Sequence, residues 1–255
     1  MIIQKYDMEV SRAALLNWVR GCACAVSSYY GRFPVAKVEL RIVPVGGRSH
    51  FITSETFGQN GALIRIVMVQ ETTEADLDQD WVLTHEMVHL AFPSVADEHH
   101  WIEEGIATYV EPIARVEAGN LDAATVWREL VEGLPRGLPQ PGDRGLDYTH
   151  TWGRTYWCGA LFCLLEDLQI REATRNKYGL QDALQAIVSA GGNIETTWPL
   201  ARALEVADQA VGVPALVRLY DRMKATPITP DLPALWKELG IIREGAKVAF
   251  DEHAP

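Results

Sequence analysis

Apolar positions along the chain keep one period at first, switch to another, and then return to the first. Over residues 11–30, Ala14, Leu15, Trp18, Val19, Cys22, Val26 and Tyr29 recur every three to four positions, which predicts a helix with one buried stripe. Ser11 supplies an N-cap for it and Gly31 a stop. Val38, Leu40 and Ile42 then alternate with Lys37, Glu39 and Arg41, the period of a half-buried strand. Pro44, Gly46 and Gly47 are expected to break it. After the turn-rich Gly58-Gln59-Asn60-Gly61, residues 62–69 predict a second strand, covered on most of its surface because Arg65 is the sole charge within 63–69. Two placements of that strand fit: an interior one, or an edge that could take up an extended chain by strand addition.

From Glu74 onward the period is helical almost throughout. Helices are expected over 74–92, 99–117, 122–132, 151–177, 180–189, 200–211, 214–224 and 232–239. Trp157, Ala160, Leu161, Leu164, Leu165 and Leu168 form the buried side of the longest. Residues 134–147 hold three prolines and three glycines without periodicity, which predicts a loop of a length that is usually functional or mobile. The fold class is α+β in a single domain: a small β-containing lobe over about 1–73, then a helical lobe over 74–255.

Composition narrows the partners more than the fold. A hydrophobic share of 48% and a charged share of 22% are ordinary for a globular chain. A net charge of −11 argues against nucleic acid or an anionic membrane as partner. No run of 18 apolar residues and no basic-then-apolar leader at Met1 is present, so the sequence reads as cytoplasmic, or as exported if a leader has been removed. Cys22, Cys24, Cys158 and Cys163 show no Cys-X-X-Cys spacing and are expected to be buried thiols.

The chemistry gathers in residues 81–92, where His85-Glu86-Met87-Val88-His89 forms an HExxH pattern. Positions i and i+4 share one helix face, so two imidazoles can hold one tetrahedral metal ion while the glutamate points to the side of a bound water. A catalytic zinc takes a third protein ligand. Glu103 and Glu104 in Trp101-Ile102-Glu103-Glu104-Gly105 stand on a return helix, with fourteen residues between His89 and Glu104. They lie about 100° apart on it, so one of them faces the site. His99 and His100 are the competing candidates, but the three-histidine pattern needs H-x-x-G-x-x-H, and Phe92 and Val95 stand where its glycine and histidine belong. With His50 and His253, they are expected at the surface.

HEMVH followed by W-I-E-E-G-I-A-T-Y resembles the gluzincin metallopeptidases, whose pattern is HExxH and then W-x-x-E-G-x-x-x-Y. Thr155-Tyr156-Trp157-Cys158-Gly159-Ala160-Leu161, with Gly179-Leu180-Gln181-Asp182-Ala183-Leu184 beyond it, is similar to the Y-x-x-G-A-L segment of the aminopeptidase-N and glycyl-aminopeptidase branches. The resemblance implies a zincin, thermolysin-like catalytic domain, with zinc on His85, His89 and Glu104 and with Tyr156 hydrogen-bonding the tetrahedral intermediate. It implies a close helix contact at Gly105 and a peptide or protein as substrate. Those aminopeptidases carry a G-x-M-E-N strand whose glutamate holds the substrate amine; here the nearest match is Gly61-Ala62-Leu63-Ile64-Arg65, with Ile64 in the glutamate's place.

The expected mechanism has Glu86 as general base, Tyr156 as oxyanion donor with His150 as an alternative, and Thr108 or Glu111 holding the histidine rings. Two functions fit: a zinc metallopeptidase, or a catalytically silent zincin-fold module that binds a peptide or a partner.

Overall fold

The computed structural model describes residues 2–3, 8–47, 51–245 and 247–254; His50 lies outside them. Among the described residues a four-stranded sheet runs in the order β1-β2-β4-β3. Its strands are β1 (Ile2–Ile3), β2 (Val38–Val45), β3 (Phe51–Phe57) and β4 (Ala62–Val69). β1, β2 and β4 are parallel, and β3 runs antiparallel to β4. Leu40 and Ile42 of β2 and Ile64, Ile66 and Met68 of β4 are buried, as the alternation and the apolar run predict.

Two readings of this region change and an open one is decided. β2 continues through Pro44 to Val45: among the described residues β1 pairs with Arg41 and Ile42, and the β4 ladder runs to the end of β2. Of the two placements left open for β4, the interior one holds, since β2 and β3 flank it. The edge on that side is β3, a strand absent from the sequence reading.

Helix α1 (Arg12–Tyr30) connects β1 to β2 and follows the reading closely. Ser11 Oγ accepts from the Ala14 N–H at 3.1 Å, and Gly31 closes the helix at φ +72°. Leu15, Trp18, Cys22, Val26 and Tyr29 form its buried stripe. Cys22, Cys158 and Cys163 are buried free thiols, whereas Cys24 is exposed because it falls on the opposite face of α1.

The helix expected over 74–92 is two helices, α2 (Glu74–Asp78) and α3 (Val82–His89). Asp80 makes the break: its carboxylate accepts from the N–H groups of Val82 and Leu83 and from Trp18 Nε1, so it starts α3 as a cap would. A 3-10 turn at Asp97–His99 leads into α4 (His100–Glu117), followed by α5 (Ala123–Gly133), whose N-cap is Asp122. The helix expected over 151–177 begins as a π-helical stretch, Gly153–Cys158, and becomes α6 (Gly159–Thr174). Helices α7 (Leu180–Ser189), α8 (Leu200–Val211), α9 (Ala215–Met223) and α10 (Leu232–Glu238) follow. A hairpin of β5 (Ile241–Glu244) and β6 (Lys247–Phe250), not foreseen, comes last. Among the described residues no helix is long and apolar enough to cross a membrane.

The segment 134–147 is fastened rather than loose. Leu146 and Asp147 donate backbone N–H groups to Met223 and Lys224, and the buried Arg154 donates to the Gly137 carbonyl at 2.7 Å. Asp147 itself accepts from Trp101 Nε1 at 2.9 Å and from the Tyr220 hydroxyl at 2.7 Å, with His99 Nδ1 at 3.0 Å. It therefore joins α9 to the start of α4, and His99 is engaged there rather than free at the surface.

Candidate metal centre

Helices α3 and α4 meet through the residues the sequence singled out. His85 and His89 lie one turn apart on α3, and Glu104 faces them from α4. His85 Nε2 is 3.2 Å and His89 Nε2 3.6 Å from the same Glu104 oxygen, Oε2. One ligand atom from each of the three residues falls within a 4.8 Å span. Ligand atoms about 2.1 Å from a tetrahedral zinc stand about 3.4 Å from one another, so the two contacts to Glu104 match edges of such a tetrahedron. The donor set, two imidazole nitrogens and one carboxylate oxygen, suits zinc, and the residues fit the ion.

The electrostatics of the three groups follow from burial and mutual contact. Burial opposes the Glu104 charge, but hydrogen bonds from His100, His85 and His89 outweigh it and hold the carboxyl well below the usual carboxylate range. Burial lowers the His85 pKa, against the pull of Glu104. Burial acts on His89 in the same sense, and there the hydrogen bond and charge of Glu104 prevail and raise it.

A glycine contact sets the position of Glu104. A Cβ on Gly105 would lie 2.4 Å from Gly159 Cα, and one on Gly159 would lie 2.4 Å from the Trp101 carbonyl oxygen. The backbone of α4 therefore rests directly on the start of α6, as the resemblance implies for Gly105. This contact brings Tyr156 over the site: its ring stacks on His85 with centroids 6.4 Å apart. Burial, and then the charge and hydrogen bonding of Glu104, push its phenol up to about 12, so it is a protonated donor at neutral pH.

Glu86, on the same helix as the two histidines, is turned toward the sheet. Ser54 Oγ donates to its Oε1 at 2.7 Å and Thr56 Oγ1 to its Oε2 at 2.6 Å, both from β3. Sequence reasoning missed these hydroxyls along with the strand that carries them. His100 is exposed, as expected, but its contacts were not foreseen: its Nε2 lies 3.3 Å from Glu104 Oε1 and its Nδ1 3.1 Å from Glu103. An i, i+4 relation to Glu104 was the available signal.

Among the described residues no hydrogen bond joins the remaining candidates to His85, His89 or Glu104. His150 is exposed and lies outside the cavity described below. His253 is exposed, as expected. Glu111 pairs with Arg115 at 3.0 Å rather than with a histidine, and burial pushes its carboxyl up to about 7 against that pairing. Thr108 Oγ1 is buried without a hydrogen-bond partner among the described residues. Both line a cavity of about 1080 Å³ that opens from His85 and Tyr156 toward α5. Trp81 and Trp152, 51% and 58% exposed, stand at its rim, Trp81 edge-on to His85 and Trp152 stacked on Tyr156.

No protein-family model matches the chain, and no curated protein does. Solved structures do. An M1 zinc metallopeptidase from Deinococcus radiodurans aligns with a TM-score of 0.57 at 19% identity, over 89% of this chain and 47% of that one. A variant of that enzyme bound to a Tyr-Ser-Ala substrate aligns at 0.56 and 19%, with the same coverage. An aminopeptidase N family protein from Idiomarina loihiensis aligns at 0.67 and 13%, over 94% of this chain and 47% of that one. The chain thus spans about half the length of the structures it matches. At these identities the likeness is one of fold, and by fold this mixed helix and strand chain is similar to part of the M1 zinc metallopeptidases.

Proposed function

We propose that the chain is a zinc metallopeptidase of the thermolysin-like, gluzincin type, which hydrolyses peptide bonds. The observation that carries this reading is the convergence of five groups. His85, His89 and Glu104 offer donors that fit one metal ion, Glu86 stands beside His85 on the same helix, and Tyr156 stacks on His85. The fold shared with M1 zinc metallopeptidases supports it, one of them a variant bound to a tripeptide substrate.

Zinc on His85, His89 and Glu104 would lower the pKa of a coordinated water toward neutrality and polarise the scissile carbonyl. Glu86 takes the proton of the attacking water and passes it to the leaving amine as the C–N bond breaks. Tyr156 donates its hydroxyl proton in a hydrogen bond to the carbonyl oxygen as that oxygen gains charge, a contact worth about 3 kcal/mol. β3 is the sheet edge beside Glu86, and an extended peptide added there would run past the histidines. The 1080 Å³ cavity beyond His85 and Tyr156 would take the part of the substrate on one side of the cleaved bond.

The test is zinc content together with hydrolysis of a mixed peptide library by the purified chain. One zinc per chain, with cleavage lost in Glu86→Gln while the zinc stays, is the expected result. Full zinc with no peptide cleaved would instead identify a silent binding module, and His85→Ala with undiminished zinc would place the ion elsewhere.

A further inference from the structure

Both oxygens of the Glu86 carboxylate are occupied by side chains of one strand. Ser54 and Thr56 stand two apart on β3, so they share a face, and that face turns to α3. Their hydroxyls bond Oε1 and Oε2 separately, at 2.7 and 2.6 Å. Thr56 Oγ1 also lies 3.1 Å from the Glu86 carbonyl, the group that would take the N–H of Leu90 if α3 ran on. That N–H turns to the Met87 carbonyl instead. Glu55, between the two hydroxyls, belongs to the opposite face and meets Arg65 on β4 at 3.4 Å.

We propose that Ser54 and Thr56 are positioning residues for Glu86, a pair of hydroxyls that fixes the plane of its carboxylate from the edge strand of the sheet. The proposal rests on the peptidase reading, for which Glu86 is the base. Two arguments lead to it. An ionised carboxylate has about four lone-pair sites, so one donor on each oxygen locks the group against rotation and still leaves sites for a water. The hydroxyls also come from β3, the strand along which an extended substrate would lie. One element then sets both the peptide's register and the aim of the base, and a base misplaced by about 1 Å loses on the order of a hundredfold in rate.

A purely structural role, in which the hydroxyls only satisfy a buried carboxylate, makes a different forecast. It predicts lower thermal stability with turnover per folded, zinc-loaded molecule unchanged. The experiment uses the full chain carrying one zinc, with Ser54→Ala, Thr56→Val, the double variant and the conservative Thr56→Ser. Three quantities are read: zinc affinity by chelator competition, affinity for acetohydroxamate, and kcat and KM on a cleaved library peptide. Acetohydroxamate chelates zinc and gives its hydroxyl proton to the base, so it reports the aim of Glu86 without turnover. The double variant should lower kcat about 10- to 100-fold and weaken acetohydroxamate in step. KM and zinc affinity should hold within about twofold, and Thr56→Ser should stay within about threefold of the parent.

Unchanged kcat and hydroxamate affinity in the double variant would overturn the proposal, as would losses that merely follow lost zinc. If the double variant does not fold, Ser54→Ala decides alone by the same criteria, at about a threefold or greater loss. If the parent binds zinc and acetohydroxamate but cleaves nothing, the peptidase reading fails by itself, and the hydroxamate arm still decides the positioning.

Discussion

Glu104 and Glu86 face the same metal space and are placed by opposite means. Glu104 is set by backbone against backbone, where Gly105 and Gly159 leave no room for a Cβ. Glu86 is set by side chains, two hydroxyls of β3 hydrogen-bonded to its oxygens. The first device is steric and fails abruptly, because a methyl group has nowhere to go in a packed contact. The second is a sum of hydrogen bonds, each removable in turn. A site built this way has a rigid ligand side and an adjustable base side.

Removing the ion should have the largest effect. With free zinc at about a thousandfold over its dissociation constant, chelation should cost about 4 kcal/mol of stability. It should free α3 and α4 while leaving the pairing of β3 with β4 protected; thermal unfolding and amide exchange would read the two effects, and equal loss of protection on both sides would break the comparison. Next comes Gly105→Ala, expected to destabilise by about 3 kcal/mol in urea unfolding and to reduce bound zinc. A cost under about 0.5 kcal/mol would show that α4 can ride away from α6 freely. Tyr156→Phe keeps the ring on His85 and removes only the hydroxyl, so kcat should fall about a hundredfold, near 3 kcal/mol, with zinc and fold intact.

The smallest expected effect concerns a carboxyl with neither kind of support. Glu166 on α6 is fully buried, and neither of its oxygens has a hydrogen-bond partner among the described residues. Burial, and then the charge of Asp208, push it up to about 8 from an ordinary 4.5. Its folded pKa lies above its unfolded one, so between those values the folded chain holds a proton that the unfolded chain has released. Its contribution to stability is therefore present below about pH 4.5, is lost progressively as pH rises to about 8, and stays lost above. Glu166→Gln should flatten that slope, gaining on the parent by about 1–2 kcal/mol at high pH. Urea midpoints at about pH 5.5 and 8.5 would measure it, and identical slopes in parent and variant would refute it.

What the sequence disclosed follows the same division. The ligand side was legible because its information is local: HExxH is one helical turn, Glu104-Gly105 lies within one short motif, and Gly159 sits three residues from Tyr156. The base side was not, because β3 hides its own periodicity. The side chains it turns to the protein, Ser54 and Thr56, are polar and bond a carboxylate, while Phe57 is 43% exposed. An alternation test looks for apolar residues at alternate positions, and at 54 and 56 it meets hydroxyls instead. With β3 unseen, the G-x-M-E-N comparison fell on Gly61-Ala62-Leu63-Ile64-Arg65, which belongs to an interior strand. The break at residues 79–81 was missed for a milder reason: Asp80 is a legitimate cap, but apolar spacing on both sides of it runs on without interruption.

Asp147 has a bearing on how the chain is assembled in time. Its carboxylate binds Trp101, three positions before Glu104, and Tyr220 on α9. Synthesis runs from the N-terminus, so HExxH and Glu104 leave the ribosome long before Tyr220 does. The junction at the start of α4 is completed only when a tyrosine more than a hundred residues later arrives. Ribosome-stalled chains ending before and after Tyr220 should therefore differ in the amide-exchange protection of the start of α4. The candidate metal centre is written early in the chain, and the junction beside it is finished late.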